Sequence, residues 1–237
     1  MIEIYPEILL AKAQKRKLLA ILLDPEKLIV SQISDLCVKI NVSIATHIFI
    51  GGSTFNGSHL DELIIEIKKY SNLPVLLFPG DYKQISGEAN GILLLGLISG
   101  RNPDYLIEHQ VNAVPLLQKT NLEVIPTAYL LIESGTQTAV ERVSQTKPLE
   151  RNNVEYVCQT AKAGELMGNK LVYLEAGSGA TNAVPFEMIV KVSSTIKIPL
   201  IVGGGIRSLE QIQNAFKAGA DLVVIGTAFE NDNTFFE

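Results

Sequence analysis

Short, continuous runs of apolar residues alternate along this chain with stretches in which apolar positions recur every three or four residues. The runs fall at 18–23, 47–50, 75–78, 91–95, 124–128, 171–174, 200–202 and 222–225. Most show no polar alternation, the pattern of parallel strands covered on both faces. Between them, residues 58–70 place Leu60, Leu63, Ile64 and Ile67 on one side and Asp61, Glu62, Glu66 and Lys68 on the other, which predicts an amphipathic helix. Asn102-Pro103-Asp104 is a helix start, with a capping side chain and then proline at the first helical position. Residues 208–217 open on a Ser cap with a Glu close behind and end at Ala218-Gly219. Residues 152–167 predict a further helix that closes near Gly168-Asn169.

Two segments break the rhythm. Residues 80–90 are short and interrupted by Gly87, so the helix expected after the third strand is irregular. Residues 133–151 carry Gly135, Pro148 and many hydroxyls, and long loops of this kind are commonly functional. No linker, repeat or low-complexity tract divides the chain. Strict strand–helix alternation through eight strands predicts one domain over residues 1–237, a single (β/α)8 or TIM barrel with an irregular segment in place of a regular third helix. A doubly wound sheet has the same element order and stays open at this point.

Composition narrows the class. Of 237 residues, 47% are hydrophobic and only 19% charged, which excludes global disorder. The formal net charge is −5 and the richest cation cluster is Lys15-Arg16-Lys17, which argues against nucleic acid as a partner. Cys37 and Cys158 lie far apart and form no CxxC pair, as expected of a protein of the reducing cytoplasm. The longest apolar stretches, 18–23 and 91–99, fall far short of the ~18 residues of a membrane span. The run at 18–23 follows three cations but is closed by Asp24-Pro25, unlike a secretory leader. A soluble protein with at most peripheral membrane contact is expected.

In such a barrel, chemistry belongs at the C-terminal ends of the strands. There the chain places Asp24, Gly51-Gly52-Ser53-Thr54, Glu175-Ala176-Gly177-Ser178-Gly179, Gly203-Gly204-Gly205 and Gly226-Thr227. Glycines let a phosphate approach the backbone, and successive N–H groups can hold the anion without a cation. One glycine-rich turn would mean only a tight loop. Three after consecutive strands favour a phosphate site.

Single residues leave more open. Asp24 suits a Mg2+ ion, with the Ser53 hydroxyl on the same ion, and equally suits the cap of a helix beginning near Lys27. Glu175 is placed to take a proton from a substrate hydroxyl, or to form a buried ion pair with Arg207 or Lys27. Tyr173 points the same way by strand alternation and would contact substrate or fill the core. His47, His59 and His109 lack metal-ligand spacing. Arg101 suits a second anionic group or a solvated loop.

Leu22-Leu23-Asp24-Pro25-Glu26-Lys27, Ile50-Gly51-Gly52-Ser53, Ile98-Ser99-Gly100-Arg101-Asn102-Pro103, Tyr173-Leu174-Glu175-Ala176-Gly177-Ser178-Gly179 and Val202-Gly203-Gly204-Gly205-Ile206-Arg207 together resemble the geranylgeranylglyceryl phosphate synthases. The resemblance spans nearly the whole chain, and Tyr-Leu-Glu-Ala-Gly-Ser-Gly is its most specific part. It implies ether-bond formation between sn-glycerol 1-phosphate and a polyprenyl diphosphate, geranylgeranyl diphosphate in the archaeal-like group. By the same resemblance Asp24 and Ser53 would bind Mg2+. Tyr173, Leu174, Glu175, Ala176, Gly177, Ser178, Gly179, Gly204, Gly205, Gly226 and Thr227 would hold glycerol phosphate. Glu175, with Tyr173, would orient or deprotonate the attacking hydroxyl. The related heptaprenyl-type bacterial enzymes carry Lys two residues before this Asp, where this chain has Leu22. Members usually form dimers or hexamers of dimers, so a homo-oligomer is implied.

Two other classes compete. A phosphate-binding barrel isomerase needs an acid and a base after strands one and five, yet Ala128-Tyr129-Leu130 supplies no carboxylate before Glu133. A non-catalytic barrel fits poorly with Asp24, Ser53 and Glu175 occurring together.

Overall fold

A computed structural model describes residues 3–53, 59–231 and 235–236. Eight parallel strands close on themselves in chain order: β1 (Leu18–Leu23), β2 (His47–Ile50), β3 (Val75–Leu77), β4 (Gly91–Gly96), β5 (Glu123–Leu131), β6 (Leu171–Glu175), β7 (Leu200–Gly203) and β8 (Leu222–Ile225). The last pairing, Leu18 with Leu222 through Ile21 with Ile225, seals the barrel and disposes of the doubly wound alternative. Strand side chains divide between two layers. Leu18, Ala20, Phe49, Leu76, Leu93, Ile125, Leu171, Ile201 and Leu222 fill the interior, while Leu19, Ile21, Ile48, Ile50, Ile92, Val172 and Val202 pack outward against helices. This double burial explains why the strands read as unbroken apolar runs.

The helices are α1 (Ile4–Ala13), α2 (Ile33–Val42), α3 (Leu60–Tyr70), α4 (His109–Leu117), α5 (Ala139–Ser144), α6 (Val154–Leu166), α7 (Phe186–Thr195), α8 (Leu209–Ala218) and α9 (Thr227–Asn231). Ser208 caps α8 by accepting the Gln211 N–H at 3.2 Å, and Asn153 caps α6 through Tyr156 N–H at 3.2 Å. The expected helix over 58–70 is α3; position 58 lies outside the described residues. Asn102 accepts the Asp104 N–H at 3.0 Å, as its position predicts, but α4 is entered through a wide π-turn over Asp104–Glu108.

Three elements depart from the sequence reading. Helix α1 was not expected, because its apolar residues Ile4, Ile8, Leu9, Leu10 and Ala11 form no single stripe. It plugs the foot of the barrel, burying Ile4, Ile8 and Ala11. Its first amides, Ile4 and Tyr5, donate to the Glu123 carboxylate, the latter at 2.9 Å, and Lys12 pairs with Asp221 at 2.7 Å. Strand β5 is longer than expected and runs on to Leu131. The irregular stretch 133–151 contains α5, capped by Thr138 accepting the Glu141 N–H at 3.2 Å.

The segment between β3 and β4 carries no helix, as expected. The two strands pair only at Leu76–Gly91 and Leu77–Ile92, whereas β4 and β5 pair at six positions. The barrel wall is therefore open above Leu77, on the flank where a packed helix is missing. Among the described residues no helix is long and apolar enough to cross a membrane.

Candidate active site

The C-terminal rim of the strands encloses a cavity of about 480 Å³ with two unlike ends. One end gathers Asp24, Ser53, Glu175 and the turns at Gly177-Ser178-Gly179, Gly204-Gly205 and Gly226-Thr227. The other runs over the rim toward the open flank, between Phe78, Ile85, Ile92, Leu94, Ala113, Val140 and Val143. Ile92 belongs to the outward-facing layer, so the apolar arm descends outside the barrel wall in the space left by the absent helix.

The three glycine turns, distant in sequence, meet at the polar end. Gly204 has φ +79°, and a Cβ there would lie 2.3 Å from Glu175 Oε1 and 2.5 Å from the Gly177 nitrogen, so no other residue fits. Among the described residues, the backbone N–H groups of Ser178, Gly179, Gly204, Gly205, Gly226 and Thr227 make no hydrogen bond within the protein. Unpaired amides on three converging turns form a concavity with a positive surface, suited to a phosphate. The Ser178 and Thr227 hydroxyls face one another across it at 3.5 Å.

Glu175 ends β6 and is only 5% exposed. Burial pushes its carboxyl up from 4.5 to about 7, against the opposing pull of the Tyr173 hydroxyl and the Gly177 N–H, which donates to Oε1 at 2.6 Å. Neither cation considered from the sequence pairs with it. Arg207 donates to the Ala180 carbonyl at 2.7 Å, and Lys27 lies 3.5 Å from Asp24. Tyr173 is wholly buried, its ring stacked on Phe78 at 5.1 Å and edge-on to Tyr129 at 5.4 Å. Its hydroxyl lies close enough to Glu175 to influence its titration but lacks the geometry of a full hydrogen bond, and the oxygen has no partner among the described residues. Burial and then the neighbouring carboxylate hold that phenol well above its usual pKa, so it remains a donor.

Other residues of the expected set divide. Leu174 points into the outward layer, and the Ala176 amide is taken by the Gly203 carbonyl at 3.0 Å; neither side chain reaches the cavity. Asp24 caps no helix: a tight turn over Val30–Gln32 precedes α2, and Asp24 Oδ1 instead accepts the Glu26 N–H at 3.1 Å. That turn holds the carboxylate on the cavity wall, against Gly52 of the loop that carries Ser53. Among the described residues no group of three His, Cys, Asp or Glu side chains could enclose a metal. One carboxylate and one hydroxyl are nevertheless hard oxygen donors of the kind Mg2+ accepts while keeping water and substrate oxygens. Arg101 lies outside the cavity, donating to Ile98 O, Gly100 O and Tyr156 Oη.

Sequence reasoning missed Phe78, Tyr129, Tyr105, His109 and Gln110 on the apolar arm. Strand alternation from Ala128 points to Tyr129, but nothing local marks the others. It also missed Gln84, which accepts the Gly80 N–H at 2.8 Å and donates to Gly52 O at 3.0 Å, tying the helix-free segment to the Ser53 loop.

Comparison with known proteins shows what the whole chain is similar to. The model of the PcrB family matches residues 12–236. The geranylgeranylglyceryl phosphate synthase of Flavobacterium johnsoniae is 58% identical over 234 residues, covering 99% of this chain and 96% of that protein. The protein of that name from Zunongwangia profunda is 54% identical over 230 residues, covering 95% and 98%. The crystal structure of (S)-3-O-geranylgeranylglyceryl phosphate synthase from Thermoplasma acidophilum in complex with substrate sn-glycerol-1-phosphate is similar with a TM-score of 0.92. It shares 31% identity and covers 99% of this chain and 95% of the other.

Proposed function

Because the chain belongs to the PcrB family, we propose that it joins sn-glycerol 1-phosphate to geranylgeranyl diphosphate, forming geranylgeranylglyceryl phosphate and releasing diphosphate. The observation that carries this reading is the two-ended cavity: free amides on three glycine turns at one end and a largely apolar arm at the other. A small phosphorylated polyol and a long apolar chain need those two environments side by side.

The glycine turns seat the phosphate, leaving the glycerol hydroxyl toward Glu175. The Gly177 N–H fixes one carboxylate oxygen, so the other is free to accept the hydroxyl proton as the oxygen attacks C1 of the prenyl chain. The new C–O bond forms as the bond from C1 to diphosphate breaks, and the electron pair leaves with diphosphate. Tyr173, Tyr129 and Phe78 form an aromatic floor at the junction of the two ends, where positive charge on an allylic carbon would face ring electrons. The apolar arm aligns the tail and excludes water from C1.

Asp24 and Ser53 are the residues we assign to Mg2+. When bound there with diphosphate oxygens, the ion would offset the negative charge growing on the leaving group. Lys27, beside Asp24, adds a second positive charge on the same side. We also infer a homo-oligomer of the cytoplasm with at most peripheral membrane contact, in keeping with two free, buried cysteines.

The test is direct. Purified protein is incubated with Mg2+, sn-glycerol 1-phosphate and geranylgeranyl diphosphate, and the lipid is identified by mass. The ether product with one equivalent of diphosphate is expected. No lipid product with any prenyl diphosphate would overturn the reading.

A further inference from the structure

Strand β2 loses its β3 partner at the rim, and one buried side chain takes the place of a lost rung. The Phe78 N–H donates to Ile50 O at 2.8 Å, the last direct bond between the two sides. Parallel ladders repeat every second residue, so the next rung would run from the Gly80 N–H to Gly52 O. Instead the Gln84 carboxamide stands between these groups. Its Oε1 accepts the Gly80 N–H at 2.8 Å, and its Nε2 donates to Gly52 O at 3.0 Å. Exchanging oxygen and nitrogen would set donor against donor and acceptor against acceptor, so the amide has one orientation. Gln84 is 2% exposed and sits behind the cavity wall rather than in it.

The carbonyl that Gln84 holds determines what the turn presents to the cavity. The Gly52–Ser53 peptide is trans, so the Ser53 N–H points opposite to Gly52 O. Strand β2 lies between β1 and β3, and with Gly52 O drawn to the β3 side the Ser53 N–H turns toward the end of β1. Asp24 stands there, 3.0 Å from the place a Gly52 Cβ would take, with Lys27 3.5 Å from its carboxylate. Among the described residues the Ser53 N–H makes no hydrogen bond within the protein. It is an unpaired amide donor apart from the three glycine turns, beside the residues assigned to the leaving group.

We infer that Gln84 is a positioning residue for the departing diphosphate: through Gly52 it aims the Ser53 N–H, as a hydrogen-bond donor, at a diphosphate oxygen. The inference rests on the prenyl-transfer reading and gives its leaving group a residue that touches neither substrate. A donor already fixed in direction needs no reorganisation as negative charge grows on the oxygen it faces. Without the anchor, the Gly51-Gly52-Ser53 turn has many conformations open to it, and the ligand would have to order it.

Gln84→Met keeps the side-chain volume and removes both hydrogen bonds. The probe is inorganic pyrophosphate, titrated calorimetrically without metal into protein saturated with sn-glycerol 1-phosphate, so that the three glycine turns are filled. In Gln84→Met the Kd for pyrophosphate rises about tenfold, while the Kd for sn-glycerol 1-phosphate stays within about twofold of wild type. An unchanged pyrophosphate Kd overturns the inference. So does equal weakening of both ligands, the result of a general loss of structure. Because the Gly80 N–H and Gly52 O lose their partner, the variant risks misfolding, so a second measurement uses the unaltered protein. A crystal structure of wild type with pyrophosphate shows a phosphate oxygen within about 3.2 Å of the Ser53 nitrogen and both Gln84 bonds intact; pyrophosphate seated away from that nitrogen overturns the inference. Wild type that forms no ether product with any prenyl diphosphate removes the prenyl-transfer reading itself. Ether product from wild type, with an unchanged pyrophosphate Kd in Gln84→Met, removes only the role of Gln84.

Discussion

The Gly177 N–H donates to Glu175 Oε1 at 2.6 Å, two residues back along the same loop. This short bond does two things. It points the carboxylate across the cavity rather than into the barrel core, and it opposes the effect of burial, so the group titrates at about 7 rather than higher. A Cβ built at Gly204 would meet the same two atoms, so the carboxylate and the glycine turns pack closely together.

The first prediction concerns that carboxylate. Glu175→Gln retains the bond from Gly177 but cannot accept a proton, so kcat falls about 10²- to 10⁴-fold with the fold intact. Steady-state kinetics with circular dichroism checks both. Wild-type turnover in Glu175→Gln would reduce Glu175 to a structural group.

A pH dependence follows. Glu175 accepts a proton only when ionised, so kcat rises with pH, with a midpoint at about 7. Bound phosphate, being anionic, moves that midpoint upward rather than down. A kcat flat from pH 5.5 to 8.5 would contradict the assignment.

Stability moves the other way. The carboxyl titrates near 4.5 unfolded and about 7 folded, so the neutral form stabilises the native state fully below 4.5. That contribution is lost as pH rises to 7. Glu175→Gln should therefore be more stable than wild type by about 3 kcal/mol at pH 8 and equal to it at pH 4. Thermal melts at the two pH values test this.

At the phosphate end, Gly204→Ala places a methyl against Glu175 and Gly177 at a positive φ. The KM for sn-glycerol 1-phosphate should rise at least about tenfold, and kcat should fall because the same methyl displaces the base. Unchanged kinetics would show that substrate phosphate lies elsewhere.

The foot of the barrel offers a separation of roles. Glu123→Ala removes the acceptor of the Ile4 and Tyr5 amides and should cost about 1–2 kcal/mol of stability. Turnover at 25 °C should not change, because the rim is at the opposite end of β5. A chemical denaturation series with parallel assays checks it.

Much of this molecule can be read from the order of its residues, for a physical reason. Strands buried on both faces must be apolar throughout, so β1, β2 and β6 to β8 announce themselves. Glycines following consecutive strands mark a shared rim, because barrel closure brings those ends together. The failures are of the opposite kind. Helix α1 wraps apolar residues around most of its circumference, and its purpose, plugging the barrel foot, exists only once the barrel is closed. Arg207 reads as an ion-pair partner of Glu175 and Arg101 as a ligand for a second anionic group, but their partners include the backbone carbonyls of Ala180, Ile98 and Gly100, whose positions no local pattern encodes. Gln84 is likewise silent in sequence, since its meaning comes from the early end of β3. That Asp24 caps no helix is visible only in the structure, where the chain makes a turn rather than a helix after it.

The most direct test of the whole arrangement is a crystal structure of this protein soaked with sn-glycerol 1-phosphate. The account predicts phosphate oxygens within about 3.2 Å of the amides of Gly179, Gly204 and Thr227, with a glycerol hydroxyl turned toward Glu175. Phosphate bound away from those amides, or a glycerol chain directed away from Glu175, would contradict it.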